Sequence, residues 1–365
     1  MSLLKESGNR LHMAKRLIIL GATGSIGTSA LDVVRTHPGE FRVVALAALN
    51  SREKCEALAR EFGAAAYAGP NAAERAVEEN DADICLVSTV GMSGLRPTMT
   101  AIAKGMDIAL ATKEVMVMAG GFVTAEAKKR GVKFLPVDSE HSAIVQCLQG
   151  SGEIDRLILT ASGGPFLDAP ADLSSVTLEQ ALNHPRWKMG PKVTIDSSTM
   201  MNKGFEILEA RWLFDVPVDR IDVVVHPESI VHSLVTFTDG ATLAQLSEPD
   251  MRVAIQYALT WPGRLASERK RLDLPSLGRL TFRAPDPRRF PCLRLVKEAC
   301  ERGGCATAVL ASADEVAVER FLAGAIGYAD IARFIERCLE KAPEFECDSL
   351  DAVFEADRWV RSFEG

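Results

Sequence analysis

Leu17-Ile18-Ile19-Leu20-Gly21-Ala22-Thr23-Gly24-Ser25-Ile26-Gly27 is the stretch on which the reading of the fold depends. Its four leading apolar residues read as a short buried strand. Glycines at 21, 24 and 27 follow at once, in the order G-x-x-G-x-x-G, and open a helical pattern with apolar Ile26, Ala30, Val33 and Val34. Glycines so placed allow a tight turn and let the backbone approach a pyrophosphate. The helix start then supplies N–H donors and the positive end of a dipole. A purely structural turn would look similar. The strand–turn–helix setting favours a dinucleotide site, with Gly21, Thr23, Gly24, Ser25, Ile26 and Gly27 as the candidate contacts.

Outward from this unit the α/β pattern continues. Phe41 to Ala48, Ile84 to Ser88, Asp107 to Ala111 and Val132 to Val137 read as further strands, and Glu53 to Phe62 as a polar helix. Strands alternating with helices predict a Rossmann-like, doubly wound parallel sheet over residues 15–150. Residues 151–264 change character. Strands are expected at Arg156 to Thr160, Val223 to His226, Ile230 to Phe237 and Ala241 to Gln245, with a hairpin at Asp239-Gly240, giving a central α+β domain with its own sheet. A proline- and glycine-rich interval within it is long enough to be functional, and a mobile lid is expected at about 183–191. Residues 265–290 read as a linker and 291–365 as a C-terminal helical domain. Residues 1–14 read as a loose tail, without the apolar segment of a secretory signal.

Composition narrows the class. Of 365 residues, 47% are hydrophobic and 25% charged, which excludes a mostly disordered chain. Lys and Arg total 42 against 49 Asp and Glu, a formal charge of −7 that lacks the basic footprint of a nucleic-acid binder. Apolar runs such as Ile84 to Leu95 are too short for a membrane span. The eight cysteines show no C-x-x-C spacing and read as reduced, mostly buried thiols of a cytoplasmic protein.

The second strand ends in Ala47-Ala48-Leu49-Asn50-Ser51-Arg52. The acidic residue that would hold an NAD ribose is absent. Asn50, Ser51, Arg52 and Lys54 suit a 2′-phosphate, so NADPH is preferred. A short-chain dehydrogenase needs Lys four residues after Tyr. Tyr67, Tyr257 and Tyr328 are followed at that spacing by Asn71, Trp261 and Ala332, which excludes that mechanism.

Val137-Asp138-Ser139-Glu140 follows a predicted strand. In extended backbone Asp138 and Glu140 would point the same way and could share a cation. Oxygen-only ligands suit Mg²⁺ or Mn²⁺; a solvated pair is the alternative. Asp196-Ser197-Ser198-Thr199-Met200-Met201-Asn202-Lys203-Gly204-Phe205-Glu206 offers N-cap candidates, hydroxyls, an amide and a lysine, a plausible phosphate site, with Glu206 as a third carboxylate. The bland reading is a capped helix with a Lys203–Glu206 surface pair. Ser162-Gly163-Gly164 is a second turn able to approach an anion. His184 to Gly190 places Trp187 where it could cover a ligand or plug the core.

Taken together these segments resemble one family, 1-deoxy-D-xylulose 5-phosphate reductoisomerase. The match runs through Gly21–Gly27, Thr112-Lys113-Glu114, Asp138 to Ser142, Ser162 to Phe166, His184 to Gly190, Asp196 to Glu206, His226 to Ser229, Glu248 to Arg252 and Ala313 to Val318, over about residues 15–345. The resemblance implies a homodimer that uses NADPH and a divalent metal, Mg²⁺ or Mn²⁺. Its substrate would be a sugar phosphate, 1-deoxy-D-xylulose 5-phosphate, isomerised and reduced to 2-C-methyl-D-erythritol 4-phosphate in non-mevalonate isoprenoid synthesis. By the same analogy Asp138, Glu140 and Glu206 bind the metal. Ser162, Ser197, Asn202 and Lys203 hold the phosphate with His184 nearby, and Ser139 contacts the substrate backbone. Lys113 stands beside the carboxylates, and Trp187 sits on the lid. Thr112, Glu114 and Met189 join Asn50 and Ser51 at the cofactor, and Met251 packs nearby. Where the family usually has a Gly and often a basic residue at the end of the second strand, and commonly an Asn before the lysine, this chain has Ala48-Leu49-Asn50-Ser51 and Thr112. Outside the family, a different NADPH oxidoreductase or a non-catalytic NADP-binding sensor would also use the glycine turn.

Overall fold

A computed structural model describes residues 13–150, 152–169, 172–187 and 189–364. All but two residues of the expected tail, and Lys188 of the expected lid, therefore lie outside the described residues.

The first half alternates strand and helix: β1 (Lys15–Leu20), α1 (Ser25–Thr36), β2 (Phe41–Ala48), α2 (Arg52–Phe62), β3 (Ala65–Ala68), α3 (Ala72–Glu78), β4 (Ile84–Val87), α4 (Leu95–Ala103), β5 (Asp107–Leu110), α5 (Glu114–Arg130) and β6 (Phe134–Pro136). The six strands form one sheet in the order β3-β2-β1-β4-β5-β6, every pair parallel. Leu17, Ile18, Ile19 and Leu20 are wholly buried, as a central strand covered on both faces requires. The strand order reverses between β1 and β4, so a crevice opens at their carboxyl ends, where Gly21 begins its turn. Sequence reading missed β3. Ala65-Ala66-Tyr67-Ala68 is mostly alanine, sits at the sheet edge and leaves Ala65 and Ala66 exposed, so no hydrophobic run marked it.

The chain leaves this sheet through α6 (Ser139–Cys147) and builds a second one from β7 (Ile154–Ala161), β8 (Ile221–Val225), β9 (Val231–Phe237) and β10 (Thr242–Leu246). Its order is β10-β9-β7-β8, with only β7 and β8 parallel. The hairpin expected at Asp239-Gly240 joins β9 to β10, and Gly240 takes φ 86° there. Three helices lie between β7 and β8: α7 (Leu178–Leu182), α8 (Pro191–Thr199) and α9 (Met201–Phe214). Then come α10 (Met251–Thr260), the short α11 (Leu274–Leu277), α12 (Cys292–Arg302), α13 (Ala306–Leu322), α14 (Tyr328–Lys341) and α15 (Leu350–Ser362).

The last four helices do not stand apart. Val296, Leu310, Ala317, Ile335 and Val353 share one buried cluster with Ile18 of β1, Val115 of α5 and Phe205 of α9. Between α10 and α12 the chain is tied to the second sheet, where Arg283 bridges Val225 and the Glu228 carboxylate accepts from the Thr281 hydroxyl at 2.7 Å. All eight cysteines are free thiols. No described helix is long and apolar enough to cross a membrane.

Candidate active site

Asp138, Glu140 and Glu206 come together, though not along a strand. Asp138 is the N-cap of α6, and its Oδ1 accepts from the backbone N–H of Glu140 at 3.1 Å. Glu140 therefore lies in the first helical turn, where the positive dipole end favours an anion. Extended backbone, the geometry expected from sequence, is replaced by a cap. Glu206 arrives from α9. Oxygens of the three carboxylates lie within 4.8 Å of one another.

Two ammonium groups stand among them. Lys113, at the N-cap of α5, pairs with Asp138 and lies 3.3 Å from Glu206. Lys203, only 4% exposed, pairs with Glu206 and lies 3.4 Å from Glu140. Burial alone would raise the Glu140 carboxyl; the Lys203 ammonium, then His232 and Lys113, outweigh it and bring it down to about 2. Burial would lower Lys203, but Glu140 and Glu206 hold it above its ordinary value. Asn202 Nδ2 donates to Glu206 Oε1 at 2.6 Å, and Ser139 Oγ to Glu140 Oε2 at 2.6 Å. The Lys203–Glu206 pair is thus buried, not a surface pair.

Three convergent carboxylates with no sulfur or nitrogen partner form a donor set suited to Mg²⁺ or Mn²⁺. A second grouping, Asp138, His141 and Glu209, lies behind the first. His141 and Glu209 are both wholly buried. His141 Nε2 faces the Glu206 carbonyl at 3.0 Å and must donate to it, which leaves Nδ1 as the acceptor, 3.4 Å from Glu209. Burial pushes Glu209 up to about 7 and His141 down to about 4, which keeps the imidazole neutral. A metal that must also touch substrate needs an open side, which the first grouping has and the sealed second lacks.

The anion side is built from α8, α9 and the turn after β7. The helix carrying Phe205 does not begin at the Asp196–Thr199 cluster, as the N-cap reading expected. Those residues are the last turn of α8, and Met200 breaks the helix in the left-handed region at φ 63° before α9 starts. Ser197 thus lies at the end of α8, and Asn202 and Lys203 at the start of α9 just past the break. Gly163 and Gly164 take φ 87° and 63°, and a Cβ on Gly164 would lie 3.0 Å from the Ser197 carbonyl oxygen. That close approach packs the turn against the end of α8, and the Gly164 N–H donates to Ser162 Oγ at 3.3 Å. His184 Nδ1 accepts from the backbone N–H groups of Arg186 and Trp187 at 3.2 and 2.8 Å, so its Nε2–H donates to Ser162 Oγ at 3.0 Å. Burial lowers the His184 pKa, in keeping with a neutral ring. Trp187 lies edge-on to His232, centroids 6.4 Å apart, and Met189 is half-buried on the same irregular segment.

At the crevice of the first sheet the glycine turn has the shape its sequence implies. Gly21 takes φ 80°, and a Cβ there would lie 2.3 Å from the Ser88 carbonyl oxygen; one on Gly27 would lie 2.4 Å from the Gly21 oxygen. No side chain caps α1, which begins with Ser25, Ile26 and Gly27, and Thr23 immediately precedes the Gly24 N-cap. Lys54 Nζ donates to the Thr23 carbonyl at 2.9 Å, setting a positive charge at the turn. Asn50, Ser51 and Arg52 are exposed at the end of β2, and the Ser51 hydroxyl does not cap α2. This cradle fits a dinucleotide phosphate. Two further expected cofactor contacts, Thr112 and Glu114, stand where β5 leads into α5. Thr112 is buried with its hydroxyl donating to the Thr89 carbonyl at 2.7 Å, and Glu114 lies 3.9 Å from Lys192.

Sequence reading passed over three residues at this centre: His141, Glu209 and His232. His141 is three residues past Asp138 and Glu209 three past Glu206, one helical turn in each case, which was the available signal. His232 lies on β9, and only the second sheet brings it to Glu140.

Three family models match the chain. "DXP reductoisomerase C-terminal domain" matches residues 246–363, and "1-deoxy-D-xylulose 5-phosphate reductoisomerase C-terminal domain" residues 134–214. "1-deoxy-D-xylulose 5-phosphate reductoisomerase" matches residues 17–68 and 60–120. A 1-deoxy-D-xylulose 5-phosphate reductoisomerase of Caldanaerobacter subterraneus subsp. tengcongensis is 49% identical, over 95% of this chain and 97% of its own length. One from Chlorobium phaeobacteroides is 48% identical over 95% and 97%. Among solved structures, DOX-P reductoisomerase in complex with NADPH, fosmidomycin and magnesium superposes with TM-score 0.90 at 40% identity, covering 95% of this chain and 96% of that one. The Zymomonas mobilis enzyme in complex with NADPH gives 0.88 at 38%, over 95% and 97%. With likeness of this extent in both sequence and fold, the chain belongs to the 1-deoxy-D-xylulose 5-phosphate reductoisomerase family.

Proposed function

We propose that the site works as follows. The protein catalyses the NADPH-dependent conversion of 1-deoxy-D-xylulose 5-phosphate to 2-C-methyl-D-erythritol 4-phosphate with a divalent metal, a step of isoprenoid precursor synthesis. The observation that carries the residue assignments is the meeting of Asp138, Glu140 and Glu206 within 4.8 Å, beside a phosphate-sized turn.

Asp138, Glu140 and Glu206 would hold Mg²⁺ or Mn²⁺. When bound, the ion supplies Lewis-acid polarisation of the substrate's carbonyl and hydroxyl oxygens, and NADPH supplies the hydride. Ser162, Ser197, Asn202 and Lys203 bind the phosphate, and His184 orients the Ser162 hydroxyl. Ser139 meets the substrate backbone. Lys113 presents its ammonium beside the carboxylates, where negative charge develops on oxygen. Trp187 and Met189 ride on a lid at about 183–191 that excludes water, and Met251 packs by the nicotinamide. Binding energy from the remote phosphate drives that closure and orients the reacting end. At the far end, the turn from Gly21 to Gly27 holds the pyrophosphate, while Asn50 and Ser51, with Arg52 and Lys54, take the 2′-phosphate.

We further infer a homodimer in the cytoplasm. The edge strand β10 leaves Thr242, Leu243 and Ala244 exposed, an edge a second copy could cover. Eight free thiols suit a reducing compartment. A non-catalytic NADP sensor would leave the carboxylate cluster unexplained.

The test is direct. The protein is incubated with 1-deoxy-D-xylulose 5-phosphate, NADPH and Mg²⁺ or Mn²⁺, and the reduced-nicotinamide absorbance is followed. Substrate- and metal-dependent loss is expected; no loss with either metal refutes the reading.

A further inference from the structure

Helix α8 connects the lid to the anion turn: Gly190 precedes its first residue, and Ser197 lies in its last turn. Both ends are gripped by the C-terminal helices. In the first turn, Lys192 Nζ lies 2.5 Å from Asp314 Oδ2 of α13, 2.6 Å from Asp196 Oδ2 of its own helix and 3.9 Å from Glu114 Oε1 of α5. It also stands 5.1 Å over the Phe205 ring. Asp314 is wholly buried, and Asp314 and Asp196 each keep one buried oxygen without a hydrogen-bond partner. In the last turn, the Tyr328 hydroxyl of α14 donates to Ser198 Oγ at 3.1 Å, next to Ser197. Ser198 Oγ can accept because its own proton goes to the Ile195 carbonyl at 2.7 Å.

A buried ion pair is a poor way to gain stability, since apolar side chains of similar volume often do as well or better. Its geometric use is different: two charges and a hydroxyl fix where one helix lies along another. Here the fixed helix carries the phosphate hydroxyl at one end and the root of the lid at the other.

We propose that Asp314 and Tyr328 are positioning residues for substrate. Acting through Lys192 and Ser198, they hold α8 in the register that places Ser197 on the phosphate; this rests on the reading of Ser197 as a phosphate ligand. The C-terminal helices would then set substrate affinity without touching substrate.

The experiment compares the full-length wild type with Asp314→Asn, Tyr328→Phe and a control, Val353→Ala, which opens a cavity in the core behind α13. It measures KM for 1-deoxy-D-xylulose 5-phosphate, competitive inhibition by inorganic phosphate, NADPH affinity, kcat and Tm. In Asp314→Asn, KM and the phosphate inhibition constant are expected to rise roughly tenfold to hundredfold, the scale of a misplacement near 1 Å. Tyr328→Phe gives a smaller rise in both. NADPH affinity stays unchanged, and the control lowers Tm without moving KM. The inference is overturned if both variants keep wild-type KM and phosphate inhibition, or if the control shifts them equally. Should Asp314→Asn fail to fold, Tyr328→Phe decides alone, because it keeps the ring packed on Phe166 and Phe321. Wild-type turnover in the same assay separates failure of the assigned reaction from failure of this inference.

Discussion

Glu206 accepts from Asn202 and lies against both Lys113 and Lys203 while almost wholly buried. Glu206→Gln keeps the volume and removes the charge. Metal-dependent turnover is expected to fall at least about a hundredfold, since Lewis-acid stabilisation is worth several kcal/mol and each 1.36 kcal/mol is tenfold. NADPH binding, read by nucleotide fluorescence, is expected to survive, because the glycine turn is a separate structure. Retained metal-dependent turnover would remove Glu206 from the metal. His184 gives a pH dependence with a definite sign. Burial holds its folded-state pKa below the ordinary 6.5. The unfolded chain therefore takes up the proton first, and stability declines as pH falls below 6.5 towards the folded value. Protonated Nδ1 can no longer accept from Arg186 and Trp187, so the turn carrying Trp187 loosens. Acidification through that lowered folded value should accordingly raise KM for substrate, and His184→Gln, which cannot titrate, should shrink that acid limb to what the substrate phosphate's own titration near about pH 6 contributes; a limb of unchanged size in the variant counts against the assignment.

Among elements, α5 and α9 matter most, since Lys113 lies at the start of one and Glu206 in the other. They approach closely because Gly120 of α5 faces Trp212 of α9. A Cβ on Gly120 would lie 2.2 Å from the indole. Gly120→Ala must push the helices apart or turn the indole, a cost of about 1–3 kcal/mol for overpacking. The denaturation midpoint is expected to drop and kcat to fall with it, because the Lys113–Glu206 spacing is set by this contact. A variant with wild-type midpoint and kcat would show that the indole simply swings away. The break at Met200 works on the same scale. Its left-handed backbone turns what looked like one capped helix into two, and so puts Ser197 at the end of one and Asn202 and Lys203 at the start of the next.

For the whole molecule, charge at the centre yields a thermal test. Three carboxylates and two ammonium groups meet there, leaving negative charge in excess. Mg²⁺ that binds only the folded state adds about 2.7 kcal/mol at a hundred times its dissociation constant. Saturating Mg²⁺ is therefore expected to raise Tm by a few degrees, with chelator reversing it and NaCl of equal ionic strength giving none. A shift no larger with Mg²⁺ than with NaCl would argue against the cation site. Much of this protein could be read without coordinates. Local chemistry made it legible: glycines at 21, 24 and 27 after an apolar run admit few backbone shapes, and Asp138, Glu140 and Glu206 have few uses together. Strand β3 was illegible because alanines at a sheet edge carry no hydrophobic signal. The sequence by itself determined the cofactor turn, the metal-type donors and the family. Tertiary structure alone decided that Asp138 caps a helix, that His232, His141 and Glu209 stand by the carboxylates, and that Asp314 and Tyr328 grip α8. Those are contacts between residues far apart along the chain, and only packing determines which distant side chains come to share one buried, low-dielectric space.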